Sequence, residues 1–173
     1  DAHAAYLNVL RGYISGDTDH IDAAIRICNA WSAAVDQVPA GTDIPGLSGI
    51  PVAEFAIVGE LLRVSTRWKQ SDLSKFQRMM TGYWYPVCHD FLTRHNGTRP
   101  DHYWANWDIA NIGALISIGV LCDRHDIYDE GVAYYLRGDG MGAIMHAVYK
   151  VHPDGLGQWQ ESGRDQEHAQ LAV

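Results

Sequence analysis

An all-α fold of antiparallel helical hairpins follows from three features of this 173-residue sequence. Apolar residues recur at helical spacing along most of the chain, no stretch alternates convincingly as a strand, and glycine or proline clusters punctuate the periodic segments. Hydrophobic residues make up 47% and charged residues 20% of the chain, the proportions of a globular protein that can close a core.

The first helix is expected from Ala2 to Ile14, stopping at Ser15-Gly16, where glycine can take the left-handed cap conformation. Asp17 and Thr18 are N-cap residues for a second helix, which carries Ile21, Ala24, Ile25, Cys28, Trp31 and Val35 on one core-facing stripe. The tract from Pro39 to Pro51 holds three prolines and three glycines and reads as a loop. A third helix is predicted from Pro51 to Trp68, with proline in the first turn where its missing N–H costs little. Ser71 can cap a fourth, in which Leu73, Phe76, Met79, Met80 and Tyr83 recur at helical spacing and Pro86 is expected to kink or interrupt the chain near Tyr85. Arg94 to Asp101 is a second polar loop.

A fifth helix, Trp104 to Asp123, is apolar nearly all round through Ile109, Ile112, Leu115, Ile116, Ile118 and Val120, so it must be covered on several sides. Shorter helices are expected over Ile127–Leu136 and Met141–Val151, joined by Gly138-Asp139-Gly140. The final tract from His152 is glycine-rich and then helix-compatible. Hairpins of this kind recur about every fifty residues and close their cores by stacking on neighbours. The expectation is one domain over 1–173 whose hairpins continue beyond both ends.

The formal charge of −8 argues against nucleic acid, whose binding is driven by Lys and Arg neutralising phosphates. No apolar run approaches the roughly 18–20 residues needed to cross a bilayer; the longest, Ile109 to Cys122, is interrupted by Asn111 and Ser117. Cys28, Cys88 and Cys122 form no CxxC pair, which leaves buried free thiols or one disulfide with a cysteine left over. Asn96-Gly97-Thr98 fits the N-glycosylation pattern. Cys88-His89 and His152 have no partners at metal-ligand spacing and no phosphate-cradling glycine loop occurs, so neither metal nor cofactor is expected.

Two tracts hold more polar and aromatic residues than a core or a solvated face needs. One is His102-Tyr103-Trp104-Ala105-Asn106-Trp107-Asp108, at the start of the most apolar helix. The other is Gly157-Gln158-Trp159-Gln160-Glu161-Ser162-Gly163-Arg164-Asp165-Gln166-Glu167-His168, which crowds amide, carboxylate, guanidinium and imidazole groups into a dozen residues.

Asn106-Trp107-Asp108 opening an apolar helix, the Asp123-Arg124 pair, and Gly157-Gln158-x-Gln160-Glu161-Ser162-Gly163-Arg164-Asp165-Gln166-x-His168 together resemble the central signature of the alginate lyase superfamily. The likeness spans most of the chain, and its second tract is the distinctive part. It implies an incomplete (α/α) toroid whose inner helices line a groove for an acidic polysaccharide, a secreted or periplasmic location, and cleavage by β-elimination. The C5 proton of a uronic acid is scarcely acidic, so such an enzyme must neutralise the adjacent carboxylate and stabilise the developing enolate.

On this resemblance Asn106 matches the carboxylate-neutralising asparagine and Arg164 an arginine near the same site. Trp107 stands where some related families place histidine, which makes His168 the preferred base, its imidazole having an unperturbed pKa of about 6.5. Tyr103 is the candidate proton donor to the leaving oxygen. Trp104, Trp107, Asp108, Gln158, Gln160, Glu161 and Gln166 are the expected substrate contacts, and Arg94, Arg99, Arg124 and Arg164 could offset the repulsion between a negative protein and a polyanion. Glu167 and Ala169 depart from the small and hydroxylated residues more usual in the family.

Each residue also has a structural role open to it. Asn106 could cap its helix, Glu161 and Arg164 could form an i,i+3 ion pair, and the tryptophans could pack at helix ends. Two other functions compete with the lyase: a glycoside hydrolase on the same scaffold, with Asp108 and Glu161 as acid and base, and a non-catalytic carbohydrate-binding protein.

Overall fold

Glycine closes the first helix where the sequence places it: α1 (Ala2–Ser15) ends at Gly16 with φ 73°, its N–H bonded to Gly12 O. In the computed structural model, which describes residues 1–38, 41 and 43–171 without the side chains of 169 and 171, α2 (Thr18–Ala34) begins at Asp17, whose carboxylate accepts from the Asp19 N–H. Ile21, Ala24, Ile25 and Cys28 are buried as expected of the stripe, whereas Trp31 and Val35 are only half-buried against the core.

The proline-rich tract is less irregular than the sequence suggested. Pro39 lies outside the described residues, but Ile44–Leu47 forms a helical turn, α3, and α4 (Gly49–Leu62) starts two residues before Pro51. Asn111 explains why this segment is ordered: its Nδ2 donates to the carbonyls of Pro45 (3.2 Å) and Gly46 (2.9 Å), tying α3 to a later helix. Ile44–Leu62 is long and apolar enough to cross a membrane by composition, a stretch missed by reading for unbroken apolar runs. In the fold it supplies core through Val52, Phe55, Ala56, Val58 and Leu62. The third helix ends at Leu62 rather than Trp68, which is buried in the following turn with its Nε1 donating to Asn29 at 2.8 Å.

The α-helix is interrupted just ahead of Pro86, near Tyr85 as expected, but the chain stays helical. α5 (Gln70–Met79) runs through a π turn (Met80–Trp84) into α6 (Tyr85–Arg94), and the Tyr85 N–H reaches five residues back to Met80 O. The wider turn places Pro86 in the first turn of α6, where its missing N–H costs little. The expected Ser71 cap is not used, since α5 begins a residue earlier, at Gln70.

α7 (Ala105–Leu121) is the central helix, packed against α4, α6 and α8 (His125–Arg137), while α1 and α2 form the adjoining hairpin and α4 lies between α1 and α7. Ile112, Ala114, Leu115, Ile118 and Leu121 are buried, and Val120 is left on the solvent edge. Cys28 and Cys88 are buried free thiols and Cys122 is a half-buried one. Burial pushes all three up to about 12.

The sequence expectation fails after α8. Met141–Val151 is not a helix: only Ile144–Ala147 (α9) is helical, and Val148–Val151 (β1) pairs antiparallel with Gly157–Trp159 (β2). Val148, Tyr149 and Val151 favour extended backbone, and Gly155 at φ 86° turns the chain back. Val148 pairs with Trp159 and Val151 with Gly157, with an irregularity between Val148 and Lys150. The hairpin matters because it returns residues 157–163 to the N-terminus of α7. A 3-10 turn (Gln160–Gly163) and α10 (Gln166–Leu171) follow. The described residues are mainly helical hairpins with this one two-stranded ribbon.

Candidate active site at the start of α7

A helix N-terminus presents backbone N–H groups without intrahelical partners. In α7 no side chain of the preceding residue, Trp104, can cap them. The caps come instead from 55 residues downstream: Gln160 Oε1 accepts from the Ala105 N–H at 2.8 Å, and Glu161 Oε1 from the Asn106 N–H at 3.1 Å. The two polar tracts of the sequence therefore meet. Glu161 has no exposed surface, and its carboxylate faces the N-terminus of α7 and the Arg164 guanidinium, 3.6 Å from Oε2.

Arg164 reaches back over the same junction. Its guanidinium carbon lies 5.6 Å from the ring centre of Trp104, which is 46% exposed and the one site tryptophan offering a broad free surface. Asp101, His102, Tyr103, Trp104 and Gln160 line a cavity of about 250 Å³ beside it. Tyr103 stacks on Trp107 with ring centres 4.5 Å apart and planes 12° apart, and its hydroxyl accepts from Asn96 Nδ2 at 3.3 Å.

The Asn106 side chain is buried, and its Oδ1 has no hydrogen-bond partner among the described residues. Such an atom costs free energy unless something outside the protein satisfies it. His168, in α10, turns Nδ1 onto Asp165 at 2.7–2.8 Å, and its backbone N–H also bonds that carboxylate. Those bonds hold the Asp165 carboxyl below its ordinary range. The Asp165 bonds fix the ring through Nδ1, and His168 is not among the residues that line the cavity beside Trp104.

Other expected site residues face elsewhere. Trp107 is sandwiched rather than open: one ring contact is Tyr103, and a Cβ on Gly46 would fall 1.7 Å from its Cε3. Asp108 is 1% exposed; Oδ2 accepts from the Gly142 N–H at 2.9 Å and Oδ1 lies 3.4 Å from His95 Nε2. Burial raises the Asp108 carboxyl above its ordinary range, against the lowering effect of Gly142 and His95. Asp108 and Glu161 thus serve the protein interior, and the acid–base pair of the hydrolase alternative has no exposed carboxylate here. Gln158 is half-buried in β2 and Gln166 exposed at the start of α10. The other arginines are each paired with a neighbouring carboxylate: Arg94 with Asp90, Arg124 with Asp126, and Arg99 with Asp101, which lines the cavity.

Sequence reasoning passed over His95 and Tyr134. His95 ends α6 in the left-handed region (φ 46°) and is 3% exposed, with Nε2 3.0 Å from the Tyr134 hydroxyl and ring contacts to Phe91. The glycines of Gly138-Asp139-Gly140-Met141-Gly142 were the one available signal. A Cβ on Gly140 would sit 2.0 Å from Asp108 Oδ2, 2.4 Å from the Tyr134 hydroxyl and 2.7 Å from His95 Nε2.

Among known proteins, a family model described as "Alginate lyase" matches residues 1–169. No curated protein and no solved structure matches the chain. The family match covers nearly the whole sequence, including both tracts that meet at the start of α7 and all the helical hairpins, and the chain belongs to the alginate lyase family.

Proposed function

We propose that the site at the start of α7 cleaves a uronic-acid-containing polysaccharide, of alginate or glucuronan type, by β-elimination. Family membership supports a polysaccharide lyase. The observation that carries the finer reading is the buried Asn106 amide with an unspent Oδ1, set beside the Gln160–Glu161 cap that also holds Arg164.

In this reading the substrate carboxyl lies against the Asn106 amide and the Arg164 guanidinium. Both groups stabilise the negative charge that builds on the carboxyl as the C5–H bond breaks. Asn106 Nδ2 is the group that donates to the carboxylate, while the unpartnered Oδ1 only accepts and is left for a donor such as a sugar hydroxyl. His168 takes the C5 proton at Nε2 while Asp165 holds Nδ1. The electron pair of the C5–H bond forms the C4–C5 double bond as the bond from C4 to the glycosidic oxygen breaks. Tyr103, on the wall of the cavity, gives its proton to that oxygen. Trp104, the exposed ring beneath Arg164, offers a sugar platform. Gln158 and Gln166 are hydrogen-bonding candidates at the rim. In this reading the groove would lie among the inner helices of an (α/α) toroid and the enzyme would act outside the cytoplasm, where acidic polysaccharides are met.

A panel of polyuronates incubated with the protein tests this. Elimination leaves an unsaturated sugar that absorbs in the near ultraviolet. Reducing ends released without that absorbance would identify a hydrolase, and binding without product would identify a carbohydrate-binding protein; either result overturns the proposal.

A further inference from the structure

Residues 138–163 are fastened to α7 at two points. Where the segment leaves α8, the Gly142 N–H donates to Asp108 Oδ2 at 2.9 Å, and Gly140 lies so close to Asp108, Tyr134 and His95 that no side chain fits. Where it reaches α10, Gln160 and Glu161 cap the Ala105 and Asn106 N–H groups. The β1–β2 ribbon spans the distance between. Both attachments fall within the first turn of α7.

The first attachment is polar although it is buried. His95 Nε2 faces both the Tyr134 hydroxyl at 3.0 Å and Asp108 Oδ1 at 3.4 Å, and His146 Nδ1 bonds Gly140 O at 2.9 Å. An apolar contact would tolerate sliding, whereas directional bonds at low dielectric admit one register. Three elements contribute: His95 at the end of α6, Asp108 in α7 and Tyr134 in α8.

We propose that His95, Asp108 and Tyr134 are positioning residues, forming a buried clamp that sets the 138–142 loop on α7 and so delivers Gln160, Glu161 and Arg164 to Asn106. The role in catalysis rests on the lyase reading; the mechanical coupling does not. None of the three touches substrate.

Amide hydrogen exchange separates the clamp from general stability. Asp108→Ala is expected to speed exchange at the Ala105 and Asn106 amides by about tenfold or more, because their caps come loose locally. Val9→Ala, in the remote α1 core, serves as a control matched for its fall in Tm and is expected to leave those two amides protected relative to the rest of the chain. Asp108→Asn keeps an oxygen for the Gly142 N–H and restores most of the protection. Should Asp108→Ala fail to fold, Tyr134→Phe removes one hydroxyl and gives the same local readout. Unchanged exchange at Ala105 and Asn106, or an equal rise in the Val9 control, overturns the clamp. With a cleaved substrate, Asp108→Ala lowers kcat by about tenfold or more while KM moves less, and Asp108→Asn recovers it; loss of the same size in the Val9 control overturns the catalytic role. If no polyuronate is cleaved by the unaltered protein, the lyase reading fails while the exchange result still decides the coupling.

Discussion

Glu161 accepts a hydrogen bond from the Asn106 backbone N–H at 3.1 Å, with its carboxylate wholly buried and Arg164 3.6 Å from its second oxygen. One side chain thereby fixes the start of the central helix and restrains the guanidinium that lies over Trp104. This links two distant tracts more firmly than an i,i+3 ion pair on a helix surface would, because both Glu161 oxygens are shielded from water.

Removing that carboxylate has a definite cost. Glu161→Ala leaves the Asn106 N–H without its acceptor in a buried place, and we expect a loss of about 1–3 kcal/mol of stability by urea denaturation. Glu161→Gln keeps an acceptor for the N–H and recovers a large part of it. Equal losses in the two variants would show that the charge facing Arg164, not the cap, is what matters.

Two glycine substitutions have opposite expected signs. Gly140→Ala drives a methyl group into Asp108, Tyr134 and His95 and is expected to cost about 1–3 kcal/mol. Gly113→Ala, within α7 with nothing inside 4 Å of the added carbon, is expected to stabilise by about 0.5–1 kcal/mol through helix propensity. Thermal melts of both variants check the pair.

The legible part of the fold was the part governed by local patterning. α1, α2, α7 and α8 follow from apolar spacing and their end signals because each buries one stripe or is wrapped on several sides. The interruption ahead of Pro86 was legible because proline is disfavoured in helix interiors, but the form it takes, a π turn that keeps the chain helical, is a three-dimensional adjustment with no local signature. The β1–β2 ribbon was missed because four residues of Val148–Val151 fit either period, and only pairing with Gly157–Trp159 decides between them. At the site, the crowding of polar residues marked both tracts, but their connection through Gln160 and Glu161 is non-local. For His95 the one signal was indirect, the glycines at 138–142 that pack against it; it matters because α6, α7 and α8 converge on it.

Asn106→Ala tests the chemistry directly. Its side chain makes no hydrogen bond through Oδ1 within the described structure, so truncation should cost little folding stability. Under the lyase reading turnover falls by roughly 10²–10³, the scale of losing one donor to a developing oxyanion. Full turnover in a folded Asn106→Ala protein would remove this residue from the mechanism. Trp104→Ala, by contrast, is expected to raise KM more than it lowers kcat, since a stacking platform binds ground and transition states alike.

The Asp108 carboxyl predicts how stability depends on pH. Burial raises it above the ordinary 3.8 of an aspartate, outweighing the Gly142 N–H and His95, which act in the opposite sense. In the window above 3.8 the folded chain therefore holds a proton there that the unfolded chain has lost. Its contribution to stability is fully present below the unfolded value and is lost as pH rises through the raised folded value. Tyr134, raised chiefly by its own burial and next by the Asp108 charge, stays protonated throughout this window. Asp108→Asn cannot ionise, so the difference in unfolding free energy between it and the unaltered protein should shift in favour of the variant as pH rises through the same window. Urea midpoints taken across acidic and neutral pH measure that difference. A difference independent of pH would mean that Asp108 titrates alike in the folded and unfolded chains and would overturn this prediction.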